Sequence, residues 1–168
     1  MSEAKGTFPV YYDSYVAQVE SDSIIEALEI SMSRRKELWE LFSDDRWDYR
    51  YAEGKWTPKE LLVHMMDTER IFNYRALRFA RQDKTELHGY DHDAYVPVSE
   101  ANRRGAKELM DEGDLVRATT ISLFKSFSPE QLSQIGNANG VAVDVQGIGF
   151  IIAGHETHHV KVMRERYV

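Results

Sequence analysis

Three of the six histidines in the sequence are spaced in a way that bears on chemistry. His155 and His159 are four residues apart. Within a helix, side chains at that spacing lie on one face, a turn apart, so two imidazoles can meet one divalent cation. A mononuclear site needs a further donor, and His64 is the candidate. It sits among Leu61, Leu62 and Met65, and an imidazole in apolar company requires a hydrogen bond or a metal. Three histidines leave a position open for water or substrate, which suits catalysis better than structural zinc closed by four protein ligands. Water at such a position is acidified toward about pH 7. The same position can accept the thiolate of a small-molecule thiol. The protein has no cysteine, so it has no disulfide, thiolate ligand or cysteine nucleophile of its own.

The alternative for each histidine is plain. A lone histidine on an apolar face is more often a satisfied core residue than a ligand, and an i,i+4 pair is often surface. It is the combination within a helical bundle, whose core is a usual place for such sites, that favours a metal. Two sharper patterns fit less well. His155-Glu156-Thr157-His158-His159 matches H-E-x-x-H, in which the glutamate is a general base. The nine residues after His159 supply neither the third histidine of the extended pattern nor a downstream glutamate ligand. Glu156-x-x-His159 also fits half of a di-iron carboxylate site. That site needs a second such motif, and Glu60 and His64 are four apart instead of three.

The elements that must position these residues are helical. Ser23 with Glu26 resembles a capping box, and Ile25, Leu28, Met32 and Trp39 continue a helical stripe to about Phe42. Thr57-Pro58-Lys59-Glu60 opens a second helix, with Leu61, Met65, Thr68 and Phe72 inward, that runs to about Arg81. Residues 82–98 read as a long connection, often functional or holding a short element of its own. Ser99 is the expected cap of a third helix to about Phe127, with Leu109, Val116, Leu123 and Phe127 inside and Gly113 a weak point. Ser128-Pro129-Glu130-Gln131 opens a short extra turn, and residues 136–140 are turn chemistry. A last helix starts near Asp144. With no convincing set of alternating strands, the fold class is all-α, a four-helix bundle.

The chain has 168 residues, 42% apolar and 29% charged, which fits one globular domain over 1–168. Residues 1–20, with Phe8, Pro9, Tyr11, Tyr12 and Tyr15, read as an aromatic N-terminal arm. A net charge of −7 argues against nucleic-acid binding. The absence of a long apolar run argues against a membrane span, and because Met1–Gly6 has no basic flank followed by an apolar stretch, no signal peptide is expected. A cytoplasmic location is expected. Arg70, Arg75, Arg78 and Arg81, with Asp67 and Glu69 nearby, read as a salt-bridged helix face.

The segments GKWTPKELLVHMMDTERIFNYRALRFARQD (54–83), VRATTISLFKSF (116–127) and GHETHHVKVMRERY (154–167) resemble the DinB-like superfamily of metal-binding four-helix bundles. The likeness runs from about Tyr15 onward. It implies an up-down-down-up bundle with a long connection between helices 2 and 3. It also places the family's histidine triad on His64, His155 and His159. The implied cofactor is a divalent metal ion, zinc or nickel, and the implied assembly a homodimer. Members are described as metal-dependent hydrolases, acting on a small-molecule substrate that the sequence does not name. Related branches are thiol-dependent transferases or isomerases using low-molecular-weight thiols. A third expectation is a non-catalytic, metal-stabilised stress-response protein, because no clear acid or base accompanies the triad.

Other residues have two readings each. Asp67 either orients His64 by accepting a hydrogen bond or pairs with Arg70 or Arg75, and Glu69 and Arg75 are similarly open. Glu156 is either a base or, given its angular offset, directed at a neighbouring helix. His158 is expected outward, and His88 and His92 exposed in the connection. Tyr49, Trp56 and Tyr95 either line a pocket mouth or fill core. Gly147, Gly149 and Gly154 leave room for a backbone or a ligand. Arg75, Arg78 and Arg103 are candidate cations for a thiol cofactor's carboxylates.

Overall fold

Three of the four long helices start at a side-chain cap, at Ser23, Thr57 and Asp144. The structure, a computed structural model, describes residues 5–168, so the first four residues of the expected arm lie outside it. In the rest of the arm, helix α1 (Asp13–Val16) is a single turn. Helix α2 (Ile24–Trp39) follows Ser23, whose side chain accepts from the Glu26 amide. The expected reciprocal box is absent here. The Glu26 carboxylate instead takes the Ser21 hydroxyl at 2.6 Å, and Ser21 Oγ accepts the Ser23 amide at 3.0 Å. Helix α3 (Pro58–Ala80) has both halves of its box. Thr57 Oγ1 accepts the Glu60 amide at 3.2 Å, and Glu60 accepts the Thr57 amide at 2.8 Å. Such a cap contributes about 1 kcal/mol.

The connection after α3 holds a short helix, α4 (His92–Val98), capped by Asp91. Ser99 does not start the third long helix. Its hydroxyl donates back to the Val96 carbonyl at 2.7 Å, and Glu100 turns left-handed with φ 53°. Helix α5 (Ala106–Lys125) begins only after Gly105. The expected short turn is α6 (Pro129–Leu132), with a Ser128/Gln131 capping box. The turn residues after it form the tip of a short antiparallel hairpin, β1 (Ile135–Ala138) with β2 (Val141–Asp144), which the sequence reading did not include and which is added to the all-α bundle. Asn139 and Gly140 have φ 57° and 74°, the left-handed pair that a two-residue hairpin loop needs. Helix α7 (Val145–Arg166) is capped by Asp144, which accepts the Gly147 amide at 2.6 Å and the Thr7 amide of the arm at 2.7 Å.

Helices α2 and α3 each pack against both α5 and α7, so α2 lies diagonal to α3 and α5 diagonal to α7. One apolar cluster joins Leu28, Phe79, Phe124 and Ile148. A second joins Leu38, Leu61, Leu109 and Met163. Helices α2 and α7 therefore run from the first cluster to the second, and α3 and α5 run back. This is an up-down-down-up four-helix bundle. Between the clusters, all four helices contribute buried polar groups: Ser31 and Arg35, Glu69, Arg117 and Thr120, and Glu156. Among the described residues no helix is long and apolar enough to cross a membrane.

Candidate metal centre

Antiparallel packing of α3 on α7 brings His64 against the His155/His159 pair. His64 Nε2 lies 3.1 Å from His155 Nε2, which lies 3.0 Å from His159 Nε2. The three histidines each present one ring nitrogen within 4.8 Å of the others. Neighbouring aromatic rings fix the orientation. Trp56 packs on His64 with ring centres 4.9 Å apart, and the Tyr167 hydroxyl at the end of α7 donates to the Trp56 carbonyl. Tyr15 meets His155 and His158 edge-on at 5.5 and 5.1 Å. Gly154 makes that seat possible, because a Cβ there would stand 2.4 Å from the Tyr15 carbonyl oxygen.

Burial sets the protonation of the triad. It pushes the His64 pKa down to about 4 and those of His155 and His159 well below the ordinary value, with the neighbouring imidazoles adding to the effect. All three rings are neutral at pH 7, and each has one lone-pair nitrogen. Whichever tautomers are placed, His155 Nε2 cannot make good hydrogen bonds to both neighbours, and His159 Nδ1 is buried with no partner. A single cation resolves the crowding. Two nitrogens each about 2.0–2.1 Å from one ion lie about 2.9–3.4 Å apart, which matches the observed spacings. The donor set therefore fits a divalent metal.

A cavity of about 430 Å³ opens beside the triad. Its wall includes Trp56, the pocket-mouth side of the two readings the sequence left open, and also residues to which the sequence assigned no place in a pocket: Tyr11, Tyr12 and Tyr15 of the arm, Tyr90, and His92. His92 is exposed, as expected, yet its ring centre lies 5.5 Å from that of His64. His88 is also exposed, and its carbonyl receives Arg75.

The remaining candidates are distributed as follows. Glu156 points away from the triad into the polar layer, where it accepts Arg35 Nε at 2.7 Å and Arg117 Nη1 at 2.5 Å. Burial acts to raise its pKa, but the two guanidiniums prevail and hold it below the ordinary range. Glu69 is likewise bound to Arg117. Asp67 pairs with Arg70 at 3.3 Å and does not orient His64. Arg78 pairs with Asp83 and Arg103 with Glu100, both outside the cavity, whereas Arg75 lines it. Tyr49 packs on Tyr167 and Tyr95 on Tyr90. Gly147 admits the arm's backbone at Thr7, as Gly154 does at Tyr15, while Gly149 meets Ile24 and Phe124. Arg35 and Arg117 had a signal in the sequence: each occupies an inward position of its helical stripe, where an apolar residue is expected.

The family profile of the DinB superfamily matches residues 27–163, and the chain belongs to that superfamily. Among solved structures the chain is similar to YfiT from Bacillus subtilis, which is described as a probable metal-dependent hydrolase with an unusual four-helix bundle topology. The two are 16% identical over 86% of each chain, with a TM-score of 0.74. At that identity the likeness establishes the fold. No curated protein matches.

Proposed function

We propose that this protein is a metal-dependent hydrolase whose divalent ion is held by His64, His155 and His159. The observation behind the reading is that three neutral imidazoles converge, with His155 Nε2 3.1 Å from His64 Nε2 and 3.0 Å from His159 Nε2, beside a cavity of about 430 Å³. When bound, such an ion supplies Lewis-acid chemistry at neutral pH. The chain's own residues do the rest. Trp56 and Tyr15 hold the ligand rings in place, and the tyrosines of the arm wall the cavity from bulk water. His92 stands at the cavity wall with its ring centre 5.5 Å from that of His64. The reading includes zinc or nickel as the ion and a cytoplasmic homodimer as the assembly.

A second reading, a transferase using a low-molecular-weight thiol, is favoured by one observation. Glu69 and Glu156, the carboxylates in the cavity wall, are both committed to arginines. A thiolate, already stabilised by a cation, needs no carboxylate base. A purely structural metal is the least favoured, since it has no use for an open cavity.

The test is elemental analysis of tag-free protein and of His64→Ala, His155→Ala and His159→Ala. The wild type should hold about one equivalent of metal and each variant should lose it. No bound metal, and no uptake of zinc, nickel or manganese, overturns the reading. Screening ester and amide hydrolysis with the loaded protein, with and without added thiol, separates hydrolase from transferase.

A further inference from the structure

Three arginines are buried: Arg35, Arg75 and Arg117. Arg35 and Arg117 are paired with carboxylates. Arg75, only 6% exposed, forms no ion pair among the described residues. Its Nη2 donates to the His88 carbonyl at 3.1 Å, and this is its one hydrogen bond there. The guanidinium lies over Phe72 at 5.2 Å and Tyr90 at 5.9 Å, and it faces the cavity. Aromatic faces orient a guanidinium and leave its N–H edge free to bind. A buried cation without a counter-charge is costly unless something supplies one.

We propose that the cavity binds a small carboxylic acid with an apolar or aromatic body, whose carboxylate docks on Arg75 and whose far end reaches the three histidines. The charge balance of the wall supports an anion. Glu69 and Glu156 are neutralised by Arg117 and Arg35, which leaves Arg75 as the uncompensated charge. It also supports a single negative charge over two. No other arginine or lysine lines the cavity among the described residues, so a phosphate dianion would be half matched. Burial raises the pKa values of the Tyr12 and Tyr90 phenols above their ordinary value, so both stay neutral beside the guanidinium.

The spacing fits an extended ligand. His64 and Arg75 are eleven residues apart on α3, which is about three turns and ~16 Å of rise, so they share a face. An arginine on a helix leans toward the N-terminus and shortens that gap. Phe72 and Ile152 are among the residues walling the cavity, which suits an apolar body. That the far end is where reaction occurs rests on the hydrolase reading. The anion site itself does not depend on it.

The test is calorimetric titration of the protein, metal-free and zinc-loaded, with phenylbutanoate, its neutral amide, and phenethyl phosphate. The acid should bind about tenfold more tightly than the amide or the phosphate, even without metal. That preference should vanish in Arg75→Met, shrink in Arg75→Lys, which keeps the charge but not the fork, and persist in His159→Ala. Circular dichroism checks that the variants fold, and Arg75→Lys decides the matter if Arg75→Met does not. Equal binding of acid and amide, a preference untouched by Arg75 substitution, or one that requires His159 or metal overturns the proposal. Tighter binding of the phosphate than the acid overturns it as well. Failure of the metal reading has a different signature: no zinc uptake, with the acid preference intact.

Discussion

Arg117 grips Glu69 through both arms of its guanidinium, Nε to Oε1 at 2.8 Å and Nη2 to Oε2 at 2.9 Å, in the middle of the bundle. Its third nitrogen faces Glu156, the Ser31 hydroxyl and the Leu28 carbonyl. One side chain thus ties α5 to α2, α3 and α7. Arg117→Met keeps most of the volume but removes a partner from each of two buried carboxylates. The expected loss is about 3–5 kcal/mol in urea unfolding, because breaking a buried pair strands the remaining charge. A loss below 1 kcal/mol would show that water or a rearranged Arg35 replaces it.

Gly154→Ala should disturb the arm more than the bundle. The new Cβ would meet Tyr15 backbone atoms at 2.4 and 2.6 Å, and a backbone cannot swing aside as a flexible side chain can. A destabilisation of about 1–3 kcal/mol is expected, with faster proteolysis ahead of α2. Gly105→Ala is the control, since its Cβ would meet open space and its φ is −70°. As the N-cap of α5 it should cost only about 0.5–1 kcal/mol, since alanine caps less well than glycine, and it should leave the arm's proteolysis unchanged.

The metal-free protein should lose stability as pH falls from 7 toward 5. The His64 pKa is about 4 in the fold against 6.5 for the free side chain. Between those values the unfolded chain binds more protons than the folded one, so stability rises with pH across that window and levels off above it. His155 and His159, shifted in the same direction, add to the slope. Thermal unfolding at successive pH values measures this. A midpoint that does not move between pH 7 and 5 would mean that the rings are solvated.

Much of this was legible before the structure. Thr57-Pro58-Lys59-Glu60 marks the start of α3 because its capping contacts are local, and the i,i+4 relation of His155 and His159 follows from helix geometry alone. Ser99 misled because a serine can close one helix as readily as it opens the next, and the left-handed Glu100 has no signature in its residue type. The hairpin was missed because β1 reads Ile-Gly-Asn-Ala, with little strand propensity. What holds it is tertiary: Leu87 bonds to Asn137 and Asn139, and Gly136 lies against Phe79 where a Cβ would meet the ring at 2.1 Å. The charged layer was half legible. Arg35 and Arg117 stand at inward helical positions, but spacing within one helix cannot say which carboxylates on other helices receive them. The arm's tyrosines reach the cavity through contacts that local pattern does not encode.

The diagonal arrangement of the bundle also governs how the chain finds its fold. Neither α2 with α3 nor α5 with α7 can zip up as an antiparallel helical hairpin, the usual fast route for helical proteins. The one neighbouring pair that is consecutive among the long helices, α3 and α5, runs parallel and must wait for a crossover of about 25 residues to be placed. Contacts of α2 with α7 span more than a hundred residues, as Arg35 with Glu156 does. Folding is therefore slower than for an up-down-up-down bundle of equal length, with a topology penalty more typical of sheet proteins. During synthesis, the apolar face of α2 finds no long-helix partner until α5 is made, and it is fully covered only once α7 follows.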